Sequence, residues 1–252
     1  MVSRSSRVDE GSSGQGIEMG TRQIVVVGGS HGIGAGIVQL CVDSGADVVT
    51  FSRTPGETAG LTGVRHHSVD IVSEAIEKSD LPEVIDGFVY CPGTINLGPL
   101  RAVRPNQLRS DYEINVVGAV QTLQAALPGL KRSADASVVM FSSIAVATGL
   151  PMHTSVAASK GAIEALVRTW AAELSPKIRV NAIAPALTDT PLTEKFLDRD
   201  EKRDAMAAKY PMRRIGTVND MAAAADFLLS RESSWMTGQI LGIDGGMSSV
   251  RK

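Results

Sequence analysis

The run Gly28-Gly29-Ser30-His31-Gly32-Ile33-Gly34 offers backbone more than side chain, and bare backbone is what an anionic ligand needs. Gly28 and Gly32 permit positive φ and a close approach to a ligand, while Gly34 lets a helix lie against a strand. The free N–H groups of a helix starting here face a negative group, most naturally a pyrophosphate, with Ser30, His31 and Ile33 completing the turn. The spacing is G-x-x-x-G-x-G, not the commoner G-x-G-x-x-G, and an unliganded glycine turn is the alternative reading. A second group of residues suits the far end of a dinucleotide. After Asp47-Val48-Val49-Thr50-Phe51 come Ser52 and Arg53, where an acidic residue would bind a ribose 2′-hydroxyl and repel a 2′-phosphate. Arg53 pairs with a phosphate instead, with His31 as a second contact, so NADP(H) is expected in preference to NAD(H). Asp70 stands where it either accepts from an adenine amino group or caps a helix.

A third group could handle a reacting centre. Ser142 and Ser143 follow the apolar run 137–141, and ligands of open parallel sheets bind at that carboxyl edge. Lys160 projects from the first turns of a helix whose far side carries Ile163, Leu166, Val167, Trp170 and Leu174 at helical spacing. Asn115 lies inside a helical region opened by Pro105, where it satisfies local backbone or holds a water. Cys91-Pro92-Gly93 stops another strand and brings the backbone of Gly93 near a ligand.

The elements that must position these groups alternate. Continuous β-branched runs such as Ile24 to Val27 read as buried parallel strands, and Ile33, Ile37, Val38, Leu40 and Cys41 mark a helix facing them. Further strands are expected at 47–51, 64–68, 87–90, 137–141, 178–183 and 239–243. The segment 71–86 is short for a full crossover helix. Thr217 and Asp220 form a capping box for a helix over 221–229. The pattern predicts an α/β fold, a single doubly wound parallel sheet (Rossmann-like) with helices on both faces. Residues 1–20 read as a disordered lead-in without amphipathic pattern, 21–252 as one dinucleotide-binding catalytic domain, and 188–216 as a mobile helical lid.

The 252 residues are 43% hydrophobic with a formal net charge of -2, which gives no electrostatic reason to expect nucleic acid or an acidic membrane as partner. Cys41 and Cys91 read as core thiols of a reducing compartment, no metal-ligand spacing occurs, and no run has the length of a membrane span. A soluble, cytoplasmic protein with no metal is expected.

Together these residues resemble the short-chain dehydrogenase/reductase family over nearly all of 22–247. The glycine turn matches its cofactor turn, and Tyr90-Cys91-Pro92-Gly93 takes the place of its Asn-Asn-Ala-Gly with only the glycine kept. Asn115, Ser143 and Lys160 fall at three of its four catalytic positions. Arg179 to Pro185, Thr188-Asp189-Thr190 and Gly238 to Gly246 match its later signatures, so the resemblance adds Pro185, Thr188, Thr190 and Lys160 itself to the expected cofactor contacts. It implies a carbonyl–alcohol oxidoreductase acting on a small molecule, assembled as a homotetramer or homodimer. The family's proton donor is a tyrosine four residues before the lysine; that position here is Val156. His153, a water held by Ser143, Lys160 and Asn115, Ser155, or Tyr210 on the lid, which needs a closed lid to arrive, are the substitutes. A non-redox enzyme such as a cyclase, or a cofactor-binding scaffold or sensor, is the alternative function.

Overall fold

A computed structural model describes residues 20–251, so the expected lead-in lies, apart from Gly20, outside the described residues. Seven strands form one parallel sheet: β1 (Gln23–Val27), β2 (Asp47–Ser52), β3 (Val64–Ser68), β4 (Gly87–Tyr90), β5 (Ala136–Phe141), β6 (Ile178–Pro185) and β7 (Ile240–Ile243). Their spatial order is β3-β2-β1-β4-β5-β6-β7. The order reverses between β1 and β4, the kind of switch point where open sheets leave a crevice. Since every pair is parallel, Gly28, Gly93, Ser143 and Pro185 all emerge on one edge.

Helices cover both faces. One face of the sheet packs on α1 (Gly32–Asp43) and α6 (Val218–Leu229), through Ile37, Val38, Cys41, Met221, Ala225 and Leu228. The other packs on α3 (Gly118–Leu130) and α4 (Thr154–Leu174), through Leu123, Ala126, Ile163 and Val167. Ile24, Val26, Val25 and Val27 are fully buried because β1 is central and alternate side chains feed the two cores, which is why the strand carries no polar residue between them. The 71–86 segment holds only a 3-10 turn at Lys78–Asp80, as its length implied. The Thr217 hydroxyl accepts from Asp220 N and the Asp220 carboxylate from Thr217 N, so α6 does start in a capping box.

The helical region opened by Pro105 runs unbroken to Leu130, but with a change of pitch inside it. It runs as α2 (Pro105–Tyr112), a π-helical turn (Glu113–Val117) and α3. The extra residue of a π turn frees backbone acceptors. The Tyr90 hydroxyl donates to the Ile114 carbonyl at 2.5 Å, and Gly118 is needed beneath it, since a Cβ there would lie 2.5 Å from that hydroxyl. The lid contains a 3-10 turn (Glu194–Phe196) and one short helix, α5 (Asp200–Ala207).

Candidate active site

A cavity of about 450 Å³ opens at the carboxyl edge of the sheet, bounded by the glycine turn, the ends of β4, β5 and β6, the start of α4 and the lid. Gly28 (φ 77°) and Gly32 (φ 54°) adopt the left-handed region anticipated for them. Gly34 has no room for a side chain: a Cβ would lie 2.1 Å from the Gly28 carbonyl oxygen. No acidic residue occupies the first turn of α1 and His31 provides no side-chain cap, so the helix start keeps donors for an anion. One of them is taken by a residue that was not anticipated. Gly32 N donates to the Glu57 carboxylate at 3.3 Å, an acidic side chain standing where an anionic ligand would go. The positive-φ glycines and the remaining free donors of the helix start fit a dinucleotide.

Ser143, His153, Val156 and Lys160 share the wall of this cavity with Gly93. Lys160 is buried, and no hydrogen bond or ion pair engages its ammonium among the described residues. Burial lowers its pKa to about 8, and only the neighbouring Cys91 thiol pulls the other way. The Cys91 thiol is itself pushed up to about 12 by burial, which leaves it protonated and inert. A Cβ on Gly93 would lie 3.3 Å from both Lys160 Nζ and Asn115 Oδ1, so a side chain there would press on both groups. Asn115 stands behind the wall. Its Nδ2 donates to the Asp111 carbonyl at 2.7 Å and to Thr94 Oγ1 at 3.2 Å, while its Oδ1 is buried without a partner. The orphaned oxygen costs about 1–3 kcal/mol unless a water or ligand reaches it.

His153 occupies the position just before α4 without capping it through its side chain, and its Nδ1 lies 2.7 Å from the Pro151 carbonyl oxygen. A carbonyl only accepts, so Nδ1 carries a proton and Nε2 is the nitrogen left for other partners. Ser155 faces away from the cavity: its hydroxyl donates to the buried Asp111 carboxylate. Asp111 also accepts from Thr94 Oγ1 at 2.7 Å and Asn96 Nδ2 at 2.6 Å. This carboxylate thereby ties the loop after β4 to the first turn of α4. It is 2% exposed and belongs to no motif quoted from the sequence; its only sequence signal is an acidic residue one helical turn before Asn115.

Ser30, Arg53 and Asp70 lie outside the cavity wall. The Ser30 hydroxyl meets His31 Nδ1 at 3.0 Å. Arg53 is exposed, and its guanidinium has no ion pair among the described residues. Asp70 caps no helix: its carboxylate accepts from Val72 N at 3.1 Å and closes a turn after β3. Pro185, Thr188 and Thr190 do line the cavity. Tyr210 departs from expectation. It does not await lid closure but is already in the wall, 4% exposed, with its hydroxyl accepting from Leu187 N at 3.3 Å. Burial raises its pKa, so it stays a neutral phenol. The Arg-Val-Asn signature of β6 proves to be structural. Arg179 donates to the carbonyls of Leu228 and Ser230 at the end of α6, and Asn181 bonds Met236 O and Gln239 N to hold β7 in register.

Glycine turn, switch-point crevice and a serine–lysine pair on consecutive elements define an oxidoreductase of the dinucleotide-binding α/β class. Residues 27–248 match the family described as enoyl-(acyl carrier protein) reductase, and the chain belongs to the short-chain dehydrogenase/reductase family of NAD(P)-binding oxidoreductases. It is 31% identical to a 3-oxoacyl-(acyl-carrier-protein) reductase of Thermotoga maritima, covering 88% of this chain and 96% of that protein. It is 32% identical to L-xylulose reductase of Bos taurus, covering 91% and 98% of the two chains. Among solved structures, a gluconate 5-dehydrogenase from Burkholderia cenocepacia in complex with NADP and tartrate superimposes with a TM-score of 0.83 at 25% identity, covering 91% of this chain and 96% of that one. No described helix is long and apolar enough to cross a membrane.

Proposed function

We propose that this chain is an NADP(H)-dependent oxidoreductase that interconverts a carbonyl and an alcohol of a small molecule, with a proton donor other than tyrosine. The observation that carries the reading is the single cavity that joins the glycine turn to Ser143, His153 and Lys160. When bound, the nicotinamide cofactor supplies or takes up the hydride. The glycine turn and the first turn of α1 bind its phosphates, Thr188 and Thr190 border it, and Arg53 carries the unpaired charge for a 2′-phosphate. Lys160 donates to the ribose hydroxyls, which restores to its ammonium the partners that burial withholds.

Ser143 orients the substrate oxygen. His153 supplies the proton: with Nδ1–H held by the Pro151 carbonyl, the imidazolium form donates from Nε2. Ser155 is excluded by its bond to Asp111, since that hydroxyl proton is already committed to a carboxylate. A specific observation favours a second reading. The unpaired Asn115 Oδ1 and the unpaired Lys160 ammonium flank the same point beside Gly93, and a water bridging them would draw its proton from the ammonium.

The test is turnover with NADPH over a panel of ketones and aldehydes. Under the first reading His153→Ala lowers kcat about a hundredfold or more, as loss of a positioned acid does. Under the second, His153→Ala is silent and Lys160→Met abolishes turnover. NADPH binding with no turnover of any carbonyl, and no effect of His153→Ala, would replace both with a non-redox enzyme or a cofactor-binding scaffold.

A further inference from the structure

The reacting end of the cavity is followed by a wall with almost nothing to offer a hydroxyl group. Leu97, Ile144, Leu150, Val156, Phe196 and Met206 line it, contributed by four separate segments. Besides Ser143, most hydroxyl side chains that share the wall spend their protons on the protein itself; the exception is Tyr210, whose hydroxyl accepts from Leu187 N. Thr94 donates to Asp111 at 2.7 Å and Ser142 to Glu164 at 2.8 Å. Thr188 donates to the Ala186 carbonyl at 3.1 Å, and Thr190 and Thr193 pair with each other at 3.1 Å. Polarity toward the substrate is therefore concentrated around Ser143, His153 and Lys160, with Lys209 and Tyr210 the further polar contributions of 188–216 beside an otherwise apolar wall. Val156 extends the apolar wall up to the first three groups.

Such a wall selects against a polyol. Each sugar hydroxyl buried without a partner costs about 1–3 kcal/mol, whereas each buried methylene contributes about 0.8 kcal/mol. Two or three stranded hydroxyls outweigh what the carbon skeleton of a sugar gains. We propose that the substrate is a ketone, aldehyde or alcohol with a hydrocarbon skeleton, a chain or ring bearing a single reacting oxygen. The inference rests on the carbonyl–alcohol reading above and distinguishes this chain from the sugar chemistry named for several of its relatives, L-xylulose reductase and gluconate 5-dehydrogenase among them.

The experiment separates binding from turnover. Isothermal titration of the protein, with and without NADP, compares menthol, an apolar alcohol, with xylitol, a polyol of similar mass. Menthol is expected to bind at least about tenfold more tightly with a negative heat-capacity change, the mark of apolar burial. Phe196→Asn, on the lid surface of the cavity, should weaken menthol about tenfold and leave xylitol unaffected; Leu97→Asn provides the same comparison from the loop after β4. Equal or tighter binding of xylitol, or no binding of menthol to protein that binds NADP, overturns the proposal. Menthol binding without oxidation of any alcohol would instead sink the redox reading and leave this inference standing.

Discussion

Replacing Lys160 by methionine should make the cofactor-free protein more stable near neutral pH, although it removes a residue of the site. Burial lowers the ammonium pKa from lysine's 10.5 to about 8. At about 1.4 kcal/mol per pH unit, the folded state bears a burden of about 3 kcal/mol for holding that charge away from water. The folded pKa lies below the unfolded one, which sets the sign. Below about pH 8 both states carry the proton and the penalty is complete. Between about pH 8 and about pH 10.5 the folded chain has released a proton that the unfolded chain still holds, so stability climbs with pH. Above that range both states are neutral and the penalty is gone. Methionine keeps the apolar stem and drops the charge. Urea unfolding of parent and Lys160→Met, each near pH 7 and near pH 10, should show the variant ahead by up to about 3 kcal/mol at the lower pH, with the gap shrinking at the higher. Burial pushes the Cys41 and Cys91 thiols up to about 12, and loss of the Lys160 charge would only raise Cys91 further, so both stay protonated in either folded protein near pH 10 and their effect cancels in the difference. The same variant should bind NADPH more weakly, because the ribose loses its donor. A variant less stable than its parent near neutrality, or a gap independent of pH, would refute the reasoning.

Arg53→Ala should narrow the preference for NADPH over NADH in fluorescence titrations; equal dissociation constants for the two cofactors in the parent would remove the premise. Asp111→Ala should cost about 3 kcal/mol or more, since it strands the Thr94 and Ser155 hydroxyls and the Asn96 amide together. A loss below about 1 kcal/mol in urea unfolding would mean that these donors find water instead. Val156→Tyr should lower turnover of an apolar substrate, because the ring fills space the substrate uses beside Lys160. A gain of activity on a simple activated ketone would show instead a frame that lacks only its phenol.

What could be read before the fold was seen, and what could not, divides along a physical line. The central strands were legible because runs such as β1 and β5 are largely apolar and buried on both faces, and the glycine turn because Gly28, Gly32 and Gly34 each answer a backbone demand made within a few residues. Local demands leave local marks. The π turn at Glu113–Val117 left none: its helical residues carry ordinary propensities, and the turn is stabilised from outside by the Tyr90 hydroxyl, 24 positions earlier in the chain. Glu57 at the start of α1 and Asp111 beneath α4 were missed for the same reason, because each meets its partners 15 to 44 residues away. Tyr210 was placed in the wrong state because its burial depends on the path of the lid, which no periodicity records. A buried polar group is costly unless paired, so the polar residues that shape this site are decided by partners distant in sequence. Asp111 is the clearest case. The helix around it would place an acidic residue on solvent by propensity alone, and only the convergence of the β4 loop with α4 supplies the three donors that let a carboxylate stay 2% exposed. The wall behind Lys160 is thus set by tertiary contact, and substitutions there should couple strongly to one another: Asp111→Ala and Ser155→Ala combined should cost clearly less than the sum of the two alone, a coupling of about 0.5–3 kcal/mol in a double-mutant cycle.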